Sequence, residues 1–423
     1  MGQTMKISIL TSGTRGDVQP YIALGKALQE REHDVLIACP ENFCSWVEEH
    51  GLKSCSIGID MQAFLQTPEG KKLLSGNVLT LIKIWKQIVV PSIQKTLDIS
   101  WEYGKDADLL IYHPKATAAI DVAEATGAGL ICTALFPLFQ TPAFPFFIFR
   151  GNFGPFLNTL SYKLTSLSRI FFIKMVNKWR TKTLGLGKSQ ILMPFDGHGA
   201  NPVLRLCAVS PSVMKYPETG NAMVHTTGYW FLEEKENWQP DPGFLEFINS
   251  GEKPVYIGFG SMTTKDPERL TKEIIQGVQD AGLRAILSTG WGGLKRISLP
   301  EGIFLIENAP HDGLFNYVSA VVHHGGAGTT AAGLRAGLPT FICPAAFDQP
   351  YWGRLIHALG IGPKPLSIKK LNAKAFSKGL ADLTRNESYR SAAKKIGKRI
   401  ADENGASRAV DLIESFHQGG KAK

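Results

Sequence analysis

The sequence predicts an α/β protein of two Rossmann-like halves, each a parallel sheet with helices on both faces, facing each other across a cleft. Three observations carry this. The chain opens with a strand, loop, helix and strand; a second run of the same kind begins near residue 253; and a stretch rich in Pro, Gly and acidic residues lies between them.

Taken in order, "KISILTSG" is an apolar run ending in a Gly-containing loop, the reading of a buried parallel strand. A helix follows from about Pro20 through "YIALGKALQEREH", and "DVLIAC" is the second strand of a βαβ unit. The pattern recurs at "ADLLIYHP", "AAIDVAEATG" and "GLICTAL", which makes the first half a doubly wound sheet. "TGYWFLEEKENWQPDPGFLEFINSGEK" has the composition of an interdomain linker. Beyond it come "KPVYIGFGSM", the helical "PERLTKEIIQGVQDAG", then "RAILSTG", "IFLIENAP", "AVVHHGG", "AAGLRAG" and "PTFICP". Charged helices follow Ala373. The expected domains are 1–228, a linker at 229–252, a second domain at 253–398, and a C-terminal helix at 399–423 packing back toward the first domain.

A formal net charge of +9 favours an anionic partner. Nucleic acid is disfavoured, because the Lys and Arg residues are dispersed and no zinc-finger spacing or RNA-recognition signature is present. The six cysteines form no CxxC pair and mostly sit in apolar runs, the pattern of reduced structural thiols in a cytoplasmic protein. The apolar run before Gly13 is too short for a signal-peptide core. Residues Ala125 to Phe149 are uncharged, but Pro137, Pro142 and Pro145 interrupt them, so a buried strand and a Pro-rich loop are expected in place of a membrane span.

The stretch "HHGGAGTTAAGLRAGLPTFICPAAFDQPYWG", His323 to Gly353, ends a strand at two histidines and opens a helix near Thr329 after a glycine run. Backbone amides at such a corner, with the positive end of a helix dipole, bind phosphate. No Lys follows the glycines, so it is not a Walker A loop, and the glycine spacing is not that of a dinucleotide fingerprint. The plain alternative is a tight β–α turn. His324 before the glycines, and Asp348 with Gln349 after the next strand, favour a ligand, since an acid–amide pair can hydrogen-bond several sugar hydroxyls.

This stretch resembles the donor-binding signature of the UDP-glycosyltransferase superfamily. "SGTRGDVQPYIALGKAL" near the N-terminus is similar to the sterol and lipid glucosyltransferase branch and to the antibiotic glycosyltransferases. The intervening strand and helix order is similar to the GT-B fold. The resemblance implies that His324 contacts the donor diphosphate, that Ser261 faces the same group, that Thr329 stands at the phosphate-binding helix start, and that Asp348 and Gln349 grip the sugar. Gly326 and Gly328 of the turn, Gly13, Thr14 and Arg15 of the N-terminal loop, and Ala309 complete the implied donor contacts. Many plant relatives place a Trp where this chain has Asn308, which leaves UDP and TDP both open; Trp291 is a substitute platform or core packing. His323, pointing the opposite way from its neighbour, is expected to be structural.

Asp17 has two readings. It caps the helix expected near Pro20, or, as the resemblance implies, it is the general base that takes the acceptor hydroxyl's proton. His113, just past a strand, can hydrogen-bond Asp17 or the acceptor, or can be a satisfied core histidine. Asp106 and Asp108 precede their strand, so they are read as a solvated strand entry with no metal. Between 133 and 186, Leu157, Leu160, Leu164, Leu167 and Phe171 recur at helical spacing beside Lys163, Arg169, Lys174, Lys178 and Arg180. An ordinary core-facing helix is expected; the functional alternative is an apolar acceptor pocket whose rim touches an anionic membrane.

The resemblance implies an inverting, metal-independent glycosyltransferase. It needs no cofactor, uses a nucleotide sugar (UDP-glucose) as co-substrate, and glucosylates a sterol or other lipophilic small molecule. Two other readings stand beside it. One keeps the mechanism with another nucleotide sugar and a polyketide, glycopeptide or phenolic acceptor, favoured by Gly313 where "HDWLF" is usual and "AAFDQ" where "FFGDQ" is. The other is a non-catalytic ligand- or membrane-binding relative, opposed by the intact set of Asp17, His324, Asp348 and Gln349.

Overall fold

The computed structural model describes residues 4–58, 90–166, 172–189, 195, 202–217, 224–233, 238–260, 266–288, 299–307 and 309–421. They form two units, Met1–Leu232 with Asn404–Lys423, and Glu233–Glu403.

The first unit runs β1 (Lys6–Leu10), α1 (Arg15–Gln29), β2 (Asp34–Cys39), α2 (Cys44–Glu49), β3 (Lys53–Ser56), α3 (Val90–Gly104), β4 (Leu109–Tyr112), α4 (Ala118–Thr126), β5 (Gly129–Ala134), α5 (Pro155–Ser161), α6 (Ile173–Trp179), β6 (Val203–Cys207) and β7 (Val224–Thr226). Its seven strands are parallel in the order β3-β2-β1-β4-β5-β6-β7. The central strand β4 is apolar without alternation because helices cover both faces: Leu109, Leu110, Ile111 and Tyr112 are all buried.

The second unit runs α7 (Pro242–Asn249), β8 (Val255–Gly258), α8 (Pro267–Ala281), β9 (Ala285–Ser288), β10 (Ile303–Ile306), α9 (His311–Leu314), β11 (Ala320–His323), α10 (Ala327–Arg335), β12 (Thr340–Ile342), α11 (Gln349–Ala358), α12 (Ala373–Arg385) and α13 (Glu387–Ala401). Its five strands are parallel in the order β10-β9-β8-β11-β12. Two parallel-sheet Rossmann-like domains are thus present, as the alternating pattern predicts.

Each sheet has one place where strand order reverses, between β1 and β4 in the first unit and between β8 and β11 in the second. Open α/β sheets bind ligands in the crevice at such a point, outside the carboxyl ends of the strands. In register, Leu10 pairs with Tyr112 and Gly258 with His323. Asp17 and His113 therefore follow the two strands of the first crevice, and Gly260 and His324 those of the second.

Several expectations are corrected. Helix α1 begins at Arg15, not near Pro20, because Thr14 and Asp17 form a capping box that satisfies the first amides; Pro20 lies inside the helix. Helix α10 begins at Ala327, so Thr329 is its third residue. Residues 229–252 are packed at both ends: Trp230 and Leu232 join the first unit's core, while Asp241 caps α7 and Phe244 buries against Tyr256 and Phe315 in the second. The aromatic residues that the linker composition concealed drive this. The final helix, α14 (Gly405–Lys421), buries Ala409, Val410 and Ile413 in the core that holds Tyr21 and Leu24 of α1.

The helix expected through Leu157, Leu160 and Leu164 is neither continuous nor core-facing. It ends at Ser161 and passes into a 3₁₀ turn, Tyr162–Ser166, and a helix runs Ile173–Trp179; Leu167 and Phe171 lie outside the described residues. Leu157, Leu160 and Leu164 are exposed. Arg180 is not on a solvated face either, being buried with Nη1 at 2.6 Å from Asp121 Oδ1. Among the described residues no helix is long and apolar enough to cross a membrane.

Candidate active site

In the first crevice Asp17 occupies the third position of α1. Its Oδ2 accepts the Thr14 backbone N–H at 2.8 Å, and its Oδ1 receives Lys115 Nζ at 2.9 Å. The neighbouring Gly13 has φ +137°, and a Cβ there would collide with the Asp17 carboxylate. Glycine is thus required at 13 to let the carboxylate fold back onto the loop. Burial pushes the Asp17 carboxyl up, but the Lys115 ammonium, His113 and the Thr14 N–H together hold it below its ordinary value. It is a carboxylate at neutral pH.

His113 is buried behind it, edge-on to Tyr21 with ring centroids 6.3 Å apart. Its Nδ1 accepts the Lys115 backbone N–H at 3.2 Å, which places the proton of the neutral ring on Nε2. Nε2 lies 3.5 Å from Asp17 Oδ1 and has no other partner among the described residues. Burial pushes His113 down to about 4, against the pull of Asp17. The imidazole is therefore neutral, with its Nε2 edge turned toward the carboxylate at 3.5 Å and its accepting nitrogen already occupied. Lys115 was missed in the sequence reading. The available signal was its place in the turn "YHPKAT", two residues past His113, at the carboxyl end of a central strand.

Thr14 and Gly13 are both brought to Asp17. Arg15 instead stacks on Trp46, its guanidinium carbon 4.6 Å from the ring centroid. Asp108 stands at the opposite end of β4, where its Oδ2 accepts the Lys6 N–H at 2.8 Å, a strand-entry role.

In the second crevice His324 lies between two glycines. Gly260, at φ +58°, would place a Cβ 3.1 Å from its Cε1, and Gly326 would place one 2.7 Å from its Nε2. Both positions leave room for the ring. Burial lowers His324 to about 4, with the Gly258 carbonyl opposing, so the ring is neutral. Its Nδ1 is buried without a hydrogen bond of ordinary geometry. Gly326 precedes α10, whose first amides have no intrahelical acceptors, and a Cβ at Gly328 would meet nothing within 4 Å. A helix start with unpaired first amides beside a neutral imidazole is an arrangement for an anion. His323 is fully buried and uses Nδ1 to accept the Gly325 N–H at 3.0 Å.

Asp348 and Gln349 open α11. Gln349 Oε1 accepts the N–H groups of Ala345 and Ala346 at 2.9 and 3.1 Å, and its Nε2 donates to no other described residue. Asp348 Oδ2 accepts Trp352 Nε1–H at 2.9 Å. The pair is thus pre-oriented by its own loop. Phe347 before it is 84% exposed and left-handed at φ 56°, a strained position for a side chain this large. Ala309 packs against the cluster around Tyr256 and Phe315. Gly313 has a physical account: a Cβ there would stand 2.6 Å from Trp238 Cε3, so the Trp238 ring fills the space a larger residue at 313 would take. Ser261, Trp291 and Asn308 lie outside the described residues.

Comparison with known proteins gives the family. Residues 7–145 match the family model of the glycosyltransferase family 28 N-terminal domain, and residues 291–413 that of the erythromycin biosynthesis protein CIII-like C-terminal domain. The chain is 37% identical to a sterol 3-beta-glucosyltransferase of Yarrowia lipolytica, over 97% of this chain and 28% of that protein. It is also 37% identical to one of Emericella nidulans, over 97% and 30%. It therefore spans about three tenths of the length of these relatives. Among solved structures, the glycosyltransferase of kitacinnamycin superposes with a TM-score of 0.71 at 15% identity, covering 98% of this chain and 99% of that one. The calicheamicin glycosyltransferase CalG4 does so with 0.67 at 16%, covering 98% of each. The chain belongs to the UDP-glycosyltransferase superfamily and has its GT-B fold.

Proposed function

We propose that the chain is an inverting, metal-independent transferase that moves glucose from UDP-glucose to a hydroxyl of a sterol or related lipophilic small molecule, giving a β-glucoside. The observation that carries this reading is Asp17, a carboxylate kept ionised by Lys115, anchored by Thr14 and backed by the His113 Nε2–H at the carboxyl edge of its sheet. As the acceptor oxygen bonds to the anomeric carbon, its proton passes to Asp17. The bond from that carbon to the diphosphate breaks, and the electron pair leaves on the diphosphate. Attack opposite the leaving group inverts the centre. His324, the first amides of α10 after Gly326 and Thr329 meet the charge on the diphosphate, and no cation is needed. The sterol acceptor is supported by relatives named sterol 3-beta-glucosyltransferase that align with 97% of the chain.

The test is an acceptor panel of sterols, flavonoids and macrolides with UDP-glucose, scored by mass spectrometry for an added hexose. A sterol glucoside supports the proposal. Transfer only to macrolides or phenolics, or only from TDP-sugars, replaces it with the natural-product reading. Donor binding without turnover on any acceptor overturns the catalytic assignment.

A further inference from the structure

Six of the nine exposed large apolar residues among those described lie between 148 and 164: Ile148, Phe153, Phe156, Leu157, Leu160 and Leu164. Phe156 is 78% exposed. On α5, Phe156, Leu157 and Leu160 fall within an arc of about 100°, and Leu164 is exposed in the 3₁₀ turn that follows.

This face points outward because the polar face is anchored inward. Asn158 is fully buried; its Nδ2 donates to the Pro142 carbonyl at 2.9 Å and to Asn152 Oδ1 at 2.8 Å, and its Oδ1 accepts the Phe153 N–H at 3.1 Å. Ser161 Oγ accepts the Phe146 N–H at 2.7 Å, and the Tyr162 hydroxyl donates to the Phe144 carbonyl at 3.3 Å. Rotating α5 to bury its leucines would strand these groups without partners. The element is built with its apolar side exposed.

Its charge is also one-sided. Residues 125–195 contain no Asp or Glu and eight Lys or Arg, of which Arg180 is buried against Asp121 and Glu124. Arg150 is exposed between Ile148 and Phe153 in sequence, and Lys163 is exposed next to Leu164 in the 3₁₀ turn. We infer that this face docks on an anionic lipid surface, with the side chains of Phe156, Leu157, Leu160 and Leu164 entering the headgroup region and Arg150 and Lys163 meeting lipid phosphates. A second copy of the chain is a poor occupant, since residues 125–195 of either copy supply no carboxylate to meet Arg150 and Lys163 of the other. The inference stands on the surface alone and holds whichever acceptor the enzyme takes.

The experiment is co-sedimentation of the full chain with vesicles of phosphatidylcholine alone or mixed with phosphatidylserine, at low and high salt. The wild type is expected to bind the mixed vesicles, more weakly as salt rises. Phe156→Ser/Leu160→Ser should lower partitioning at least about tenfold with an unchanged melting temperature, since both side chains are exposed. Arg150→Glu/Lys163→Glu should lower it on mixed vesicles and remove most of the salt dependence. The inference is overturned if the wild type stays with the supernatant, if both double variants bind as the wild type does, or if sedimentation velocity shows a dimer that the serine variant dissolves.

Discussion

Lys115→Met tests the state of Asp17 directly. The ammonium stands 2.9 Å from Asp17 Oδ1, and the lysine side chain is 54% exposed, so water screens the pair. At the dielectric of water, unit charges at that distance interact by about 1.4 kcal/mol, or about tenfold in the proton affinity of the carboxyl. Methionine keeps the stem and removes the charge. The ionised form of Asp17 then loses support and its pKa rises; because the base works only when deprotonated, the acid limb of kcat/KM should move upward by about one pH unit. The assay is glucosyl transfer from UDP-glucose across pH, with donor affinity measured separately. Asp17→Asn, run in parallel, can still accept the Thr14 N–H but cannot take a proton. Its turnover should fall by about 100- to 10,000-fold, with melting temperature and donor affinity near wild type. An unmoved acid limb in Lys115→Met refutes the electrostatic reasoning. Near wild-type transfer by Asp17→Asn would leave Asp17 only the first turn of α1 to hold.

His324→Ala should lower turnover by at least about 100-fold by removing one donor to the diphosphate, whereas His323→Ala, at a fully buried position, should appear mainly as a lower melting temperature; equal kinetic losses would refute the distinction. Gly326→Ala places a Cβ 2.7 Å from His324 Nε2 and should weaken UDP binding in calorimetry with little change in stability. Acid should destabilise the first unit: His113 is pushed down to about 4, so the unfolded chain binds its proton first as pH falls from about 6.5 to about 4. Stability is lost across that window by about 3 kcal/mol, and His113→Gln should flatten the curve of urea midpoint against pH. Chelator should leave transfer intact; strict recovery by Mg²⁺ or Mn²⁺ would return attention to Asp106 and Asp108.

The alternation of apolar runs with helical stretches determined the two parallel sheets, because strands covered on both faces, such as β4 and β8, are buried along their whole length and so are predominantly apolar. It also placed Asp17, His113 and His324, since residues that follow central strands arrive at the crevice whatever the loops do. Tertiary structure decided the rest. The pairing of Lys115 with Asp17 joins residues 98 positions apart, and no local pattern encodes that distance. Trp238 covering Gly313 is the same kind of fact, a space filled from elsewhere in the chain. Periodicity showed that α5 has two faces but not which one is inward. That was settled by the partners of Asn158 and Ser161, because a buried amide or hydroxyl without a hydrogen bond costs more than a leucine left in water.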